Sequence, residues 1–345
     1  MNDKSFGLDI GVSGIKAVEL SPDKNGFKLN ASISTSTPPK GMLSESPVDE
    51  EEMAQTLKKT LDEARISTKR ANVALPENQA YTKVVEMPFL SDRELASAIY
   101  WEAEQYIPIP LSNVSLSWNI INRKAQSNEK MLVLMVGAPT IVVTKYQKVL
   151  QLAGLKINVL ETEMLATVRA LTSFLPPNYI TPTIIINIGS ISTSLAIVIG
   201  NNLIFTYSLP LGGAAINRAI STDFGLSHSQ AEEYQKAYGI SNSPLGQRIG
   251  KSTEPIMSSI LSEVKKAVIY YSQKYKDSKI EQIVLSGETA KIPGIDTYFA
   301  NSSGIETVVA NPWKFLDPNT VPKDIMNNAP AYSIAVGLSL RGYER

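Results

Sequence analysis

Residues Phe6–Leu20 pass from an apolar run through a small polar turn into a second apolar run: FGLDI, GVSG, IKAVEL. This pattern predicts strand, tight turn, strand, with glycines at 7, 11 and 14 as punctuation. A helix is expected after Pro47, where Met53, Leu57, Leu61 and Ala64 recur at roughly helical spacing, and ANVALP beyond it reads as another strand. Ser91 with Glu94 three residues later is a capping-box start for a helix reaching Tyr106. Leu95, Ile99, Ala103 and Tyr106 share one face of it, and Pro108 and Pro110 end it. Strands over 116–121 and 131–137, a helix stopping near Gly154, and a strand over 157–160 follow. Residues 83–160 therefore read as a small strand-and-helix insert within a first lobe.

Pro176 and Pro177 mark the next boundary, and beyond them the opening pattern returns. TIIINIGSISTSLAIVIG is again apolar strand, Ile-Gly, small polar turn, apolar strand. Asp9-Ile10-Gly11 aligns with Asn187-Ile188-Gly189 at an offset of 178 residues. An internal repeat of this length predicts two related lobes facing each other. LIFTYSL then runs into Gly212-Gly213 and a helix. Ser227 with Gln230 offers a second capping box, opening AEEYQKAYG, with Gly239 as its C-terminal cap. A long helix is expected over 254–275, with Ile256, Ile260, Val264, Val268, Tyr271 and Tyr275 on one stripe. QIVLSGETAKIPGI reads as strand, glycine turn, helix. The division expected is a first lobe over 1–180, a second over 181–330, and a C-terminal helix over 331–345 packing back on the first.

Composition narrows the chemistry. The 345 residues suffice for two cored domains, and 43% hydrophobic with 19% charged residues is ordinary globular composition. Lys plus Arg equals Asp plus Glu at 33 each, so no global field favours nucleic acid. No cysteine is present and His228 is the one histidine, which excludes disulfides, thiolate metal sites and multi-histidine metal sites. His228 falls in the second capping turn and reads as a surface residue. MNDKSFGLDIG lacks the basic start and apolar run of a signal peptide, and the apolar stretches are strand-sized. A cytoplasmic protein is expected.

The two glycine hairpins carry the candidate chemistry. A turn of successive backbone N–H groups with no side chain in the way makes an anion cradle. DIGVSG supplies one, with the Ser13 hydroxyl and Lys16 ammonium as further phosphate partners. NIGSIST supplies another, with Ser190, Ser192 and Thr193. Two such turns across a cleft suit the β- and γ-phosphates of a nucleotide with magnesium. Gly212-Gly213 at a helix start would add dipole stabilisation. Each motif alone also has a purely structural reading; their order carries the functional one.

That order resembles the actin, heat-shock chaperone and sugar-kinase ATPase fold, an α/β architecture of the ribonuclease H-like, two-lobed kind. Within it the chain is similar over nearly its whole length to the PilM family of type IV pilus assembly proteins, relatives of FtsA. FGLDIGVSGIKAVEL, MPFLSDRELASAIYWEAEQYIPIP, SLPLGGAAINRAI and VLSGETAKIPG carry the likeness. The resemblance implies that Asp9, Gly11, Ser13, Gly14 and Lys16 form the first phosphate site, Asp9 reaching magnesium through water. Asn187, Gly189, Ser190 and Thr193 would form the second, joined by Gly212 and Gly213. Glu233 and Lys236 would reach ribose and adenine, with a solvated helix face as the alternative, and Gly287, Glu288 and Lys291 would wall the nucleoside pocket. It also implies an insert of the PilM/FtsA type and an adaptor that binds ATP and Mg2+. Such an adaptor receives the N-terminal cytoplasmic peptide of a PilN-like inner-membrane protein beside the insert, and is thereby recruited to the membrane's inner face. Other pilus-machine subunits and self-association are further partners, in pili, twitching motility, secretion or competence. Tyr100, Trp101 and Tyr106 are the candidate partner contacts, with a core role as the alternative.

Two departures bear on catalysis. Relatives commonly carry aspartate where Asn187 stands, and an amide serves neither as general base nor as a charged anchor for magnesium-bound water. Glu288 stands where a second glycine is usual, crowding the base or bonding the ribose. Hydrolysis is expected to be absent or very slow. The rival readings are an FtsA-like division filament, disfavoured by the absence of a basic amphipathic helix in GLSLRGYER, and a kinase or motor ATPase.

Overall fold

The computed structural model describes residues 4–24, 26–122, 130–176 and 178–343; Pro177 of the expected lobe boundary and residues 344–345 of the expected last helix lie outside these. The first lobe opens with β1 (Phe6–Ile10), β2 (Gly14–Asp23) and β3 (Gly26–Ser36), followed by α1 (Pro47–Glu63) and β4 (Arg70–Leu75). An insert then contributes β5 (Tyr81–Met87), α2 (Asp92–Tyr106), β6 (Val114–Asn122) and β7 (Met131–Pro139). The chain continues with α3 (Thr140–Leu152), β8 (Lys156–Thr162) and α4 (Glu163–Thr172). The second lobe holds β9 (Pro182–Ile188), β10 (Thr193–Ile199) and β11 (Asn202–Leu209), then α5 (Gly213–Phe224), α6 (His228–Tyr238) and α7 (Pro244–Lys274). It ends with β12 (Gln282–Ser286), α8 (Ile295–Ser303) and β13 (Glu306–Val309), after which the short α9 (Lys323–Asn327) and α10 (Ser333–Ser339) return to the first lobe.

The lobes repeat one topology. The first sheet runs β3-β2-β1-β4-β8 and the second β11-β10-β9-β12-β13. Asp9 pairs with Lys16 across β1–β2, and Asn187 pairs with Ser194 across β9–β10, so the 178-residue offset holds in both strands of each hairpin. The uninterrupted apolar run of β9 follows from burial on both faces. Ile184, Ile186 and Ile188 pack under the second-lobe helices, whereas Ile185 faces α4 and the insert.

The insert is smaller than the sequence indicates. Residues 140–160, expected inside it, pack with the first lobe: β8 pairs in parallel with β4, and Tyr146, Val149 and Leu150 of α3 join the core of Phe6, Leu8 and Leu57. Only a long-range parallel pairing distinguishes β8 from an insert strand, and local pattern does not contain it. The insert sheet, ordered β5-β7-β6, carries α2 on one face through Leu95, Ile99 and Ala103. Its other face, Val84, Leu134 and Val136, packs with α4 and the second sheet. A Glu86–Lys274 ion pair at 2.5 Å ties β5 to α7.

Both expected capping boxes form, at Ser91–Glu94 and Ser227–Gln230. The long helix starts ten residues earlier than expected, at Pro244 behind a Ser243 cap, and runs through Pro255. Gly246, Ile249 and Thr253 are buried there, and that packing outweighs the hydrogen bond that proline removes. The C-terminal helix is confined to 333–339 and lies on the first lobe. A Cβ on Gly337 would stand 1.7 Å from the Ala166 carbonyl oxygen, and one on Gly7 would stand 2.1 Å from that of Ala335, so bare backbone is what lets α10 meet α4 and β1.

Candidate functional site

The β1–β2 and β9–β10 turns face each other between the lobes. Gly11 N–H donates to Gly14 O at 3.0 Å, and Gly189 N–H to Ser192 O at 2.9 Å, closing each turn in the same way. The N–H groups of Val12 and Ser13, and of Ile191 and Ser192, are left without backbone acceptors, the donors an anion cradle requires. An inner pocket of about 80 Å³ lies between the turns, lined by Asp9, Gly11, Ser13, Gly14, Lys16, Glu163, Asn187, Gly189, Ser190, Gly287 and Glu288 among others. It meets an outer cleft of about 890 Å³ lined by Ser34–Ser36 of β3, Gly213 and Asn217 of α5, His228, Glu232, Gln235 and Lys236 of α6, and Lys291. That volume lies in the range of ordinary small-molecule sites.

Charge at the junction is arranged around Lys16, whose side chain is 6% exposed. Its Nζ meets Glu288 Oε1 at 2.9 Å, and the Ser13 hydroxyl donates to Glu288 Oε2 at 3.2 Å. In the ligand-free protein Glu288 thus bridges the lobes and holds the two side chains assigned to phosphate. Lys16 and the Ser13 hydroxyl hold its carboxyl below the usual range against burial. Burial lifts Asp9 from 3.8 to about 6, opposed by Lys16 and assisted by Glu288.

Several expected residues have other roles here. Thr193 is buried with its hydroxyl on Leu211 O at 2.7 Å, away from both cavities. The first N–H groups of α5 are already bonded, Gly213 to Gly189 O and Ala214 to Ser190 O, at 2.9 and 2.8 Å. Gly212-Gly213 thus seats α5 against the second turn: a Cβ on Gly212 would stand 2.5 Å from Gly189 O. Glu233 is absent from the cleft wall; its neighbour Glu232 is there, paired with Lys236 at 2.6 Å. The inward face of α6 follows positions 228, 232 and 235, a helical phase that Lys236 alone does not define. Lys291 bonds Asn328 Oδ1 at the far wall. On α2, Tyr100 and Trp101 are 53% and 69% exposed, whereas Tyr106 is engaged, its hydroxyl on Thr82 O at 3.3 Å and its ring under Lys83.

Sequence reading missed Glu163. It begins α4, half-buried at the rim of the inner pocket, and burial with the neighbouring Asp9 and Glu77 carboxylates lifts its pKa to about 8. Nothing in LETEML marks it; only the meeting of the lobes does. Both Glu163 and Asp9 favour the protonated form when folded, so their contribution is complete below about pH 4 and is lost as pH rises through 6 and 8. The Tm of ligand-free protein is expected to fall from pH 5 to 8.5. Glu163→Gln should flatten the upper part of that fall and recover about 1–2 kcal/mol at pH 8, pocket water screening part of the burial penalty. Thermal unfolding across this range checks it; a Glu163→Gln profile parallel to wild type contradicts it.

The residues fit a magnesium polyphosphate. The turn N–H groups and Lys16 would match phosphate oxygens, and Asp9, one of the inner-pocket carboxylates, would hold the cation through water. Among the described residues no group of three or more acidic, His or Cys side chains forms a cage for a cation alone, and no helix is long and apolar enough to cross a membrane.

Over residues 7–343 the chain matches the profile of the family described as type IV pilus assembly protein PilM. Among solved structures it is similar to the PilM-PilN type IV pilus biogenesis complex, at 28% identity over the whole of both chains and a TM-score of 0.87. It is also similar to the ethanolamine utilization protein EutJ of Carboxydothermus hydrogenoformans (16% identity, 99% and 91% covered, TM-score 0.59). MreB5 of Spiroplasma citri bound to ADP matches at 12% identity, with 99% and 97% covered and a TM-score of 0.54. The last two bear on fold alone, and the fold is the actin-like one. The profile match and the shared architecture together make this chain a member of the PilM family of type IV pilus assembly proteins.

Proposed function

We propose that the chain is an ATP-binding adaptor that captures the N-terminal cytoplasmic peptide of a PilN-like membrane protein and is thereby held at the membrane's inner face. The observation that carries this is the likeness to the PilM-PilN complex over the whole of both chains. The proposed place for the peptide is between the first lobe and the insert, at the edge of β6. β6 is the outer strand of its sheet and offers an open edge, to which an extended peptide adds by main-chain hydrogen bonds. Tyr100 and Trp101, exposed on a capped and rigid helix, are the proposed side-chain anchors.

The nucleotide acts as a clamp between lobes rather than as fuel. Asn187 carries no carboxylate, and Glu163, lifted to about 8, holds its proton at neutral pH, so neither of these two serves as a base for water. Magnesium would supply charge neutralisation of the phosphates; Asp9 would hold it through water, and Lys16, Ser13 and the turn N–H groups would hold the phosphate oxygens.

Fluorescence anisotropy of a labelled PilN-type N-terminal peptide tests the adaptor. Wild type is expected to bind saturably, and Trp101→Ala or Tyr100→Ala to weaken binding by about 1–3 kcal/mol, the usual size of an interface hot spot. Unchanged peptide affinity in both variants would remove the anchors, and absence of peptide binding by wild type would remove the adaptor.

A further inference from the structure

We infer that His228 is a nucleoside-recognition residue, its Nε2 accepting a hydrogen bond from a ribose hydroxyl or the exocyclic amine of the base. The inference rests on the nucleotide reading of the cleft. His228 is the first residue of α6, fixed there by the Ser227–Gln230 box, and its exposed ring lines the outer cleft. Asn217, nearly buried on α5, grips it twice: Nδ2 donates to the His228 carbonyl at 3.2 Å, and Oδ1 lies 2.7 Å from Nδ1.

Those two contacts assign the tautomer. With the Asn217 amide nitrogen committed to a carbonyl, the atom facing Nδ1 is an oxygen that only accepts, so Nδ1 carries the proton. In the neutral ring Nε2 is then the acceptor, on the opposite edge, and it has no protein partner among the described residues. The cationic groups along the same cleft are engaged, Lys236 with Glu232 and Lys291 with Asn328. An oriented acceptor without a partner on a site wall selects a ligand that donates.

Calorimetric titrations of MgATP, Mg-2′-deoxyATP, Mg-3′-deoxyATP and Mg-inosine triphosphate into wild type and His228→Phe test this. Phenylalanine keeps a flat ring and cannot accept. His228→Phe is expected to weaken MgATP binding about 3–10-fold, the size of one neutral hydrogen bond. The analogue lacking the donor that meets Nε2 should bind wild type correspondingly less well and show no further loss in the variant. Unchanged MgATP affinity in His228→Phe overturns the inference, as does an equal loss for all four ligands. If wild type binds none of them, the nucleotide reading itself falls, a result distinct from tight wild-type binding that the variant leaves untouched. Ligand-free melting of both proteins confirms that the exposed substitution leaves the fold intact.

Discussion

Lys16→Ala is expected to weaken MgATP binding at least about 100-fold, and Glu288→Gln to tighten it about 10-fold. The ammonium is buried at the floor of the inner pocket, where charge-assisted bonds to phosphate are worth about 1.5–3 kcal/mol each. Its removal also leaves the Asp9 and Glu288 carboxylates facing the polyphosphate unopposed. In the ligand-free protein Glu288 already holds Lys16 and Ser13, so an incoming phosphate must displace one anion and then lie beside it. Glutamine keeps the shape and removes the competing charge; tenfold corresponds to about 1.4 kcal/mol, modest for a carboxylate beside a phosphate. The two substitutions share one contact, so the double variant should depart from additivity. Calorimetry on the four proteins measures this. Weaker binding by Glu288→Gln would mean that Glu288 contacts the nucleotide rather than standing in its place.

Gly337→Val is expected to destabilise the fold by about 2–4 kcal/mol. The first added carbon would stand 1.7 Å from the Ala166 carbonyl oxygen, a backbone atom of α4 that no rotamer change relieves. α10 must then lift from its seat, which strains the bonds it receives there. Arg169 donates to Gly337 O at 3.0 Å, Asn72 to Leu338 O at 2.8 Å, and Leu20 N–H to the Ser339 hydroxyl at 3.0 Å. Overpacking of this kind costs about 1–3 kcal/mol, and weakened buried hydrogen bonds add to it. Urea unfolding at fixed pH reads the difference; a midpoint equal to wild type would show that α10 is less tightly held than this packing requires.

The repeat was legible because each lobe must bury its central strand on both faces and bring a glycine turn to the cleft, so both strands carry the same apolar run and Ile-Gly ending. The helix starts at Ser91 and Ser227 were legible because a capping box is local chemistry. Features set by distant partners were not. β8 looks like any short strand until it meets β4, and the helix expected from residue 254 begins at Pro244 once Ile249 and Thr253 are buried. In the candidate site, Ser13, Lys16 and Ser190 could be named from the turns, and Asp9 through the family resemblance. Glu163, Glu232 and His228 become visible only when the lobes close a cavity around them, and Thr193 lies outside both cavities with its hydroxyl on Leu211 O.

The most direct test of the adaptor account is native mass spectrometry of the chain mixed with MgATP and a PilN-type N-terminal peptide. The two proposed sites lie apart, one between the lobes and one between the first lobe and the insert. A single ternary species is therefore predicted, with one nucleotide, still unhydrolysed, and one peptide per chain. A spectrum in which peptide never adds to the nucleotide-loaded chain, or in which the retained nucleotide is ADP within minutes of mixing, would contradict it.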